Sequence, residues 1–266
     1  MARRVLVAVE SRDRGRHLLE AAARLATARQ AELIGFYVEE LEFLQAAGLP
    51  FSKTYSLFRG SWESWDADAM ERAMRARGDE LRRAFESLCE RRQLTGTFRT
   101  ARGAPGERLL EAASEAEVVI LGRSRRSGRT YTGSTARRAV ADCRSSVLLF
   151  DPADPVPEKV TAIYSGDPSV LAAADEMARL FQCRLEVIAV SEDSQSAADT
   201  RRRAARWLTD RRWSANVVEA GSLREGHAAA LELAGRRSGL TVVGNATSLD
   251  LPALLDTLRG PVLIVR

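Results

Sequence analysis

The sequence predicts an α/β protein with two tandem domains, each built around a doubly wound parallel sheet. Short runs of β-branched and other apolar residues alternate along the chain with segments of helical periodicity. The apolar runs are almost continuous, which is typical of strands that helices cover on both faces of a sheet. The same order of strands and helices returns after a proline-rich stretch near the middle, which indicates a duplicated unit.

The first predicted domain covers residues 1–151. Its strands are predicted at 3–9, 31–38, 96–103, 117–121 and 145–150, and its helices at 17–29, 66–92, 106–116 and directly after Gly133. The longest helix is predicted because Met70, Met74 and Leu81 recur along one side at helical spacing. This alternation favours parallel strands joined by helices that lie on the faces of the sheet.

The second predicted domain covers residues 158–266 and follows a linker at 152–157. The stretch DPADPVPEKV has three prolines in ten residues, which is typical of a linker. Strands are predicted at 159–165, 184–190, 214–221, 240–244 and 261–266, and helices at 168–181, 197–212, 223–237 and just before the last strand. The pairs AELIGFYVEE and CRLEVIAVSED, and SSVLLF and PVLIVR, support the duplication.

Composition favours a packed core and sets several classes of protein aside. The chain has 266 residues, 40 of them basic and 36 acidic, so its net charge is only +4. No apolar run approaches the roughly 20 residues of a membrane-spanning helix, and the run near Met1 is too short for a signal peptide. We therefore expect a cytoplasmic protein. Cys89, Cys143 and Cys183 are odd in number and lack CxxC spacing, which predicts buried free thiols rather than disulfides or a zinc site.

The stretch GRSRRSGRTYTGSTARR, residues 122–138, is the strongest candidate for a binding site. It follows the apolar run EVVIL, and doubly wound sheets bind ligands beyond the carboxyl ends of their strands. Its glycines would let backbone N–H groups approach a phosphate, and Arg123 and Arg125 would add positive charge. A solvated basic loop is the alternative interpretation.

The predicted helix start at Gly133, Ser134 and Thr135 offers a second element of such a site. The first N–H groups of a helix have no intrahelical partner, and the helix dipole favours an anion there. The alternative is that Ser134 serves only as the N-cap, which is the commoner role of a serine at this place.

Together these features resemble the universal stress protein family in its tandem form. The resemblance rests on VLVAVES at the first strand, AELIGFYV at the second, and VVILG leading through GST to SSVLLF. It implies a Rossmann-like, adenine nucleotide alpha hydrolase-like fold for each domain, and ATP binding in members that keep the glycine motif. It also implies that the last strands of the two domains, near 147–150 and 262–265, pair and so hide two sheet edges.

The resemblance carries the family's nucleotide-binding positions onto the first domain in part. The acidic position falls on Glu10, the valine on Val38, the first glycine on Gly122, and the closing Gly-Ser on Gly133 and Ser134. The motif is Gly-x2-Gly-x9-Gly-[Ser/Thr], and its second glycine falls on Arg125. Gly133 comes eleven residues after Gly122, where the motif needs thirteen. We expect at most one site for ATP or another phosphate compound, in the first domain, because the second lacks both Gly-x2-Gly and Gly-Ser after LTVVG.

Residues 40–65 form an unusually long connection for a βα unit and carry half of the first domain's aromatic residues. An insertion with this many apolar residues is expected to pack against another protein surface. One interpretation is that it folds over its own domain, and the other is that it docks a protein partner or a second copy.

The sequence gives no support for catalysis. His17 and His227 lie in different halves without a carboxylate or cysteine at ligand spacing, and no nucleophile elbow or Walker loop is present. The arginine-rich stretch 200–213 is better explained as a solvated helix than as a nucleic-acid contact. The sequence therefore predicts a non-enzymatic stress-response binding or signalling protein. A ligand-free interaction scaffold acting through 40–65 is the alternative, and a slow ATP hydrolase the third possibility.

Overall fold

The computed structural model describes most of the chain, with gaps in both halves. The described residues are 3–9, 12–40, 53–56, 61–64, 67–126, 129–151, 154, 156–191, 194–213, 216–222, 239–245, 251, 255, 257–258 and 260–266. Glu10 and the predicted helix 223–237 lie outside them. Among the described residues, no helix has both the length and the hydropathy needed to cross a bilayer.

The described chain alternates strands and helices in both halves. The strands are β1 (Arg4–Ala8), β2 (Glu32–Glu40), β3 (Lys53–Ser56), β4 (Ser61–Ser64), β5 (Gly96–Gly103), β6 (Val118–Gly122), β7 (Ser124–Arg126), β8 (Arg129–Tyr131), β9 (Ser146–Phe150), β10 (Lys159–Tyr164), β11 (Arg184–Ser191), β12 (Asn216–Ser222), β13 (Leu240–Gly244) and β14 (Val262–Val265). The helices are α1 (Arg12–Arg29), α2 (Ala67–Arg92), α3 (Pro105–Ala113), α4 (Ser134–Asp142), α5 (Pro168–Phe181) and α6 (Ser194–Asp210).

Ten strands form one sheet in the order β12-β11-β10-β13-β14-β9-β6-β1-β2-β5. Neighbours within each half are parallel, as the α/β pattern predicts. The halves meet where β9 and β14 pair antiparallel, with Val147 opposite Ile264 and Leu149 opposite Val262. The expected pairing of the last strands is confirmed, and it leaves β5 and β12 as the edges of this sheet.

The core has one layer on each face of the sheet, and both layers run across the junction between the halves. Alternate strand residues supply the two layers, so Val5 and Val160 belong to one and Leu6 and Ile163 to the other. All four are completely buried. The strands are therefore covered on both faces, which explains their continuously apolar sequences.

Most predicted elements lie within a few residues of the observed ones, with three corrections. Helix α1 begins at Arg12, five residues before its predicted start at His17. The segment after β6, expected to be a loop, forms the antiparallel hairpin β7–β8. Within 40–65, the described parts Lys53–Ser56 and Ser61–Ser64 form a separate two-stranded hairpin.

The cysteines agree with the prediction of free thiols. Cys89 and Cys143 are buried, Cys183 is partly buried, and all three are free. Burial raises the pKa of Cys89 and of Cys183, which makes both thiols less reactive than an exposed thiol.

Candidate functional site

A cavity of about 220 Å³ opens at the carboxyl ends of β1 and β2. The β1 end contributes Ala8 and Val9, and the β2 end contributes Phe36, Tyr37, Val38 and Glu40. The other walls come from the N-terminal parts of three helices. Met70, Met74 and Arg77 belong to α2, Pro105 and Leu109 to α3, and Thr135 to α4. The sheet topology explains the location, because such sheets bind ligands beyond the carboxyl ends of their strands.

The cavity brings together two of the residues predicted from the sequence. Val38, near the end of β2, and Thr135, in the first turn of α4, both line it although they lie far apart in the chain. Its lining is mainly apolar, and the charged side chains are those of Glu40 and Arg77. Such a lining suits a flat apolar or heteroaromatic group, with charge available where Arg77 lies.

The N-terminus of α4 lies beside this cavity. Gly133 is the N-cap, in an extended conformation with φ −62° and ψ 164°, and no side chain caps the helix there. Ser134 is an exposed first residue of the helix, so the alternative in which Ser134 is the N-cap is wrong. The first N–H groups of α4 therefore have no side-chain oxygen of an N-cap as their acceptor, which keeps this helix end suited to an anion.

The glycine-containing segment has a different form from the predicted loop. Gly122 is the last residue of β6 and pairs with Phe150, and a Cβ added there would come no closer than 3.9 Å to another side chain. Neither close packing nor a positive φ therefore requires a glycine at this position. Arg125 lies in β7, where its backbone is opposite Thr130. The segment doubles back on itself instead of forming an open loop.

Arg123 occupies a place that the sequence did not predict. Only 3% of the residue is exposed, and its Nη2 donates a hydrogen bond to the carbonyl oxygen of Leu258, in the other half of the chain. It does not line the cavity. The reason is topological, because Arg123 follows β6 next to β9, on the side of the sheet that leads to the second half. The hypothesis that Arg123 provides positive charge at the cavity is therefore corrected to a contact across the junction.

A hydrogen-bonded group of charged side chains lies next to the cavity. Nε of Arg102, on β5, is 2.6 Å from Oε2 of Glu39, and its Nη2 is 3.0 Å from Oε1 of Glu71 on α2. Arg75 donates to the same Glu71 oxygen at 2.6 Å. Hydrogen bonds from Arg75 and Arg102 lower the pKa of Glu71, and the hydrogen bond to Glu39, followed by that to Glu71, raises the pKa of Arg102. Glu71 and Arg102 therefore stay charged at neutral pH.

Tyr37 joins the end of β2 to the same part of α2. Its hydroxyl donates to the carbonyl oxygen of Met74 at 3.4 Å. Burial raises the pKa of Tyr37, nearby Arg77 lowers it, and Glu39 and Glu40 raise it. The phenol is therefore neutral at neutral pH and keeps its proton for this bond.

The family model for the universal stress protein family matches residues 1–151, more than half of the chain. The chain belongs to the universal stress protein family. A search of the curated proteins returns no match.

Three solved structures resemble this universal stress protein over nearly its whole length. The first is a universal stress protein from Archaeoglobus fulgidus, with TM-score 0.70, 14% identity, and 99% of this chain and 98% of that chain covered. The second is a putative universal stress protein from Pseudomonas aeruginosa, with TM-score 0.65, 18% identity and coverages of 99% and 93%. The third is PA1789 from Pseudomonas aeruginosa, described as functionally unknown, with TM-score 0.62, 17% identity and coverages of 99% and 92%. At these identities the likeness shows the fold alone.

Several lining residues carry no sequence signal that marks them as site residues. The pattern of Met70 and Met74 correctly predicts the apolar stripe of a helix, but that stripe faces the cavity as well as the core. Pro105 and Leu109 gave no local signal, because only the topology places α3 beside β2. Glu10 lies outside the described residues, and among those residues no cluster of three or more metal-ligating side chains is present.

Proposed function

We propose that this universal stress protein is a non-enzymatic stress-response protein that binds ATP, or another phosphate compound with a base-like group, in its first half. The observation that carries the proposal is the cavity at the ends of β1 and β2, lined by both Val38 and Thr135. The family resemblance places Val38 at a nucleoside-binding position. Thr135 is the second residue of α4, whose N-terminus has no side-chain cap.

The size and lining of the cavity favour the base as the enclosed group. About 220 Å³ is less than the roughly 300–1,000 Å³ of pockets that enclose drug-sized ligands. Phe36, Met70, Met74 and Leu109 offer apolar surface to a flat ring, and thioethers pack well against aromatic groups. A sugar and phosphates would then leave the cavity past Thr135.

The phosphates would meet the N-terminus of α4. Its first N–H groups carry partial positive charge, and Gly133 has no side chain that could obstruct them. The space beside Gly133 is also open, because an added Cβ would have no neighbouring heavy atom within 4 Å. Because the preceding segment is a hairpin, we expect fewer backbone contacts to phosphate than a glycine loop would give, and hence modest affinity. Glu10 stays a predicted contact to the nucleoside.

We propose one such site per chain. The domain organisation that supports this is a first domain at 1–151, a linker at 152–157 and a second domain at 158–266 in which the glycine motif is lost. The second half would then act as a structural counterpart of the first, joined to it through β9 and β14.

Thermal unfolding with ATP, ADP and AMP tests the proposal, because a ligand that binds only the folded state raises the midpoint once its concentration exceeds Kd. The informative variant is Gly133→Asp. Aspartate is a favourable N-cap and fits the open space and the φ of −62°, so the variant should fold at least as well as the parent. Its carboxylate should repel the phosphates.

Gly133→Ser is the matched control, since serine caps the helix without charge. We expect ATP to raise the midpoint of the parent and of Gly133→Ser, and to leave Gly133→Asp unchanged. Equal shifts in all three proteins would place the phosphates elsewhere. The absence of any shift at millimolar nucleotide would reject the site. Phosphate release on incubation with ATP would instead support the third possibility, a slow ATP hydrolase.

A second candidate is a ligand-free scaffold that acts through residues 40–65. The observation in its favour is that the hairpin of β3 and β4 forms its own sheet, apart from the ten-stranded one, with Tyr55 opposite Trp62. An isolated two-stranded hairpin is marginal in water and gains stability by packing on another surface. Sedimentation of the parent and of Trp62→Ser would reveal self-association that depends on this hairpin.

A further inference from the structure

The first three turns of α2, residues 67–78, cover the cavity and are called the roof here. Met70, Met74 and Arg77 are the roof residues that line the cavity. The roof enters from the 40–65 connection rather than from a strand of the ten-stranded sheet. What holds it against the sheet therefore determines the shape of the cavity.

Arg102 joins the sheet to the roof. Its guanidinium binds Glu39 on β2 at 2.6 Å and Glu71 of the roof at 3.0 Å. Glu39 is buried with 6% of its surface exposed, so its carboxylate fixes the Nε side of the guanidinium in place. The planar fork then presents Nη2 to Glu71 with little freedom left to lose.

Tyr37 provides a second attachment point one turn further along α2. Its hydroxyl donates to the carbonyl oxygen of Met74. Gly78 lets the helix approach the ring, because a Cβ there would lie 3.2 Å from Cδ1 of Tyr37. The contacts of Tyr37 with Met74 and Gly78 hold the later part of the roof. Arg102 holds its beginning at Glu71, next to Met70.

We propose that Arg102 is a positioning residue that holds the roof closed over the cavity and so sets the residence time of the bound ligand. It acts through Glu71 and does not line the cavity itself. The part that concerns the ligand rests on the proposed function, whereas the part that concerns the roof does not. Removing the guanidinium leaves the cavity lining unchanged and frees the roof to open.

The test compares Arg102→Gln with Arg99→Gln. Arg99 also lies on β5, is similarly exposed and pairs with Glu115 at 3.2 Å, so the control removes the same charge from the same strand away from the roof. Hydrogen exchange of the amides of residues 70–78, in the unliganded protein, reports opening of the roof. We expect exchange to be about fivefold faster in Arg102→Gln, which is a typical size of effect for a network residue that does not contact the ligand. Exchange should be unchanged in Arg99→Gln.

Affinity for ATP is measured in parallel by calorimetry and by stopped-flow dissociation. We expect ATP to dissociate from Arg102→Gln about fivefold faster than from the parent, with little change in the association rate. Most affinity differences between related complexes lie in the dissociation rate. Arg102→Lys should recover part of the loss, because an ammonium can bind Glu39 or Glu71 but cannot reproduce the fork.

The outcomes separate the two hypotheses. Unchanged exchange of residues 70–78 in Arg102→Gln overturns the positioning role whatever ATP does. Faster exchange without ATP binding in any variant keeps the role of Arg102 in holding the roof and rejects the proposed function. Faster exchange with unchanged ATP dissociation overturns the link between the roof and the ligand.

Discussion

Arg29 and Glu176 form a bidentate ion pair that joins the two halves of the protein. Nε of Arg29, in the last turn of α1, is 2.6 Å from Oε1 of Glu176 on α5, and its Nη2 is 2.6 Å from Oε2. The side chain of Arg29 is 13% exposed and that of Glu176 is 32% exposed. A partly buried, doubly hydrogen-bonded pair of this geometry contributes more than an ordinary surface ion pair.

We therefore predict that Arg29→Met and Glu176→Gln each lower the free energy of unfolding by about 1.5–3 kcal/mol. Chemical denaturation of both single variants and the double variant should give a coupling energy of about 1 kcal/mol or more. Arg202→Met is the control, since Arg202 and its partner Asp199 are both well exposed. A coupling energy near zero would mean that this ion pair does not stabilise the junction between the halves.

The sequence predicts the fold because strand and helix patterns are local. Runs such as VVILG and SVLLF are apolar without interruption, and that is sufficient to identify covered strands. The pairing of Arg29 with Glu176 carries no such signal, since the two residues are 147 positions apart. Ion pairs between helices depend on how the halves dock, which no pattern in either segment records.

The candidate site is predictable only where a residue lies at the end of a strand or in the first turn of a helix. Val38, near the end of β2, and Thr135, in the first turn of α4, satisfy that condition, and both line the cavity. Arg123 also follows a strand, yet its long side chain turns to the junction, and the direction of an arginine is set by its acceptor. The hairpin of β7 and β8 was missed because its strands are three residues each, too short for an alternating pattern.

Gly35 is expected to be among the glycines that are least tolerant of substitution. A Cβ there would lie 2.6 Å from Cδ2 of Phe98 and 2.8 Å from Cδ2 of Phe85, and these two rings pack against one another with centroids 5.6 Å apart. Gly35→Ala should therefore lower the free energy of unfolding by about 1–3 kcal/mol through overpacking. Gly122→Ala, where the added Cβ has room, should change it by less than about 0.5 kcal/mol. Denaturation midpoints of the two variants decide this, and equal losses would contradict it.

Arg123 offers a test of stability against binding. Arg123→Met removes a buried guanidinium and leaves the carbonyl oxygen of Leu258 without this donor, at a cost of about 1–3 kcal/mol. Arg137→Met is the matched control, because Arg137 is exposed and also donates to a backbone carbonyl oxygen, that of Thr132, at 3.2 Å. We expect a clear loss of stability only in Arg123→Met. If instead Arg123→Met unfolds like the parent but loses its response to ATP, the guanidinium belongs to the ligand site.

Tyr37 should make the stability of the fold dependent on pH in the alkaline range. Burial raises its pKa in the folded protein above the ordinary value of 10.0. The folded state therefore holds the phenolic proton more tightly than the unfolded chain does. This stabilisation is fully present below about pH 10 and is lost as the pH rises through the folded-state pKa. Burial also raises the pKa of Tyr164, Cys89 and Cys183, so the parent has several groups that contribute to the same decline.

Tyr37→Phe removes one of these contributions while keeping the ring. We expect the free energy of unfolding of Tyr37→Phe to fall less steeply than that of the parent between about pH 10 and pH 11.5, because one fewer group ionises on unfolding. Val5→Ala serves as the control, since it destabilises the core without removing a titrating group and should keep the parent's slope. Urea denaturation across this pH range gives the slopes. A parent-like slope in Tyr37→Phe would show that the folded protein lets this phenol ionise freely, and that the contact of Tyr37 with the carbonyl oxygen of Met74 opens in solution.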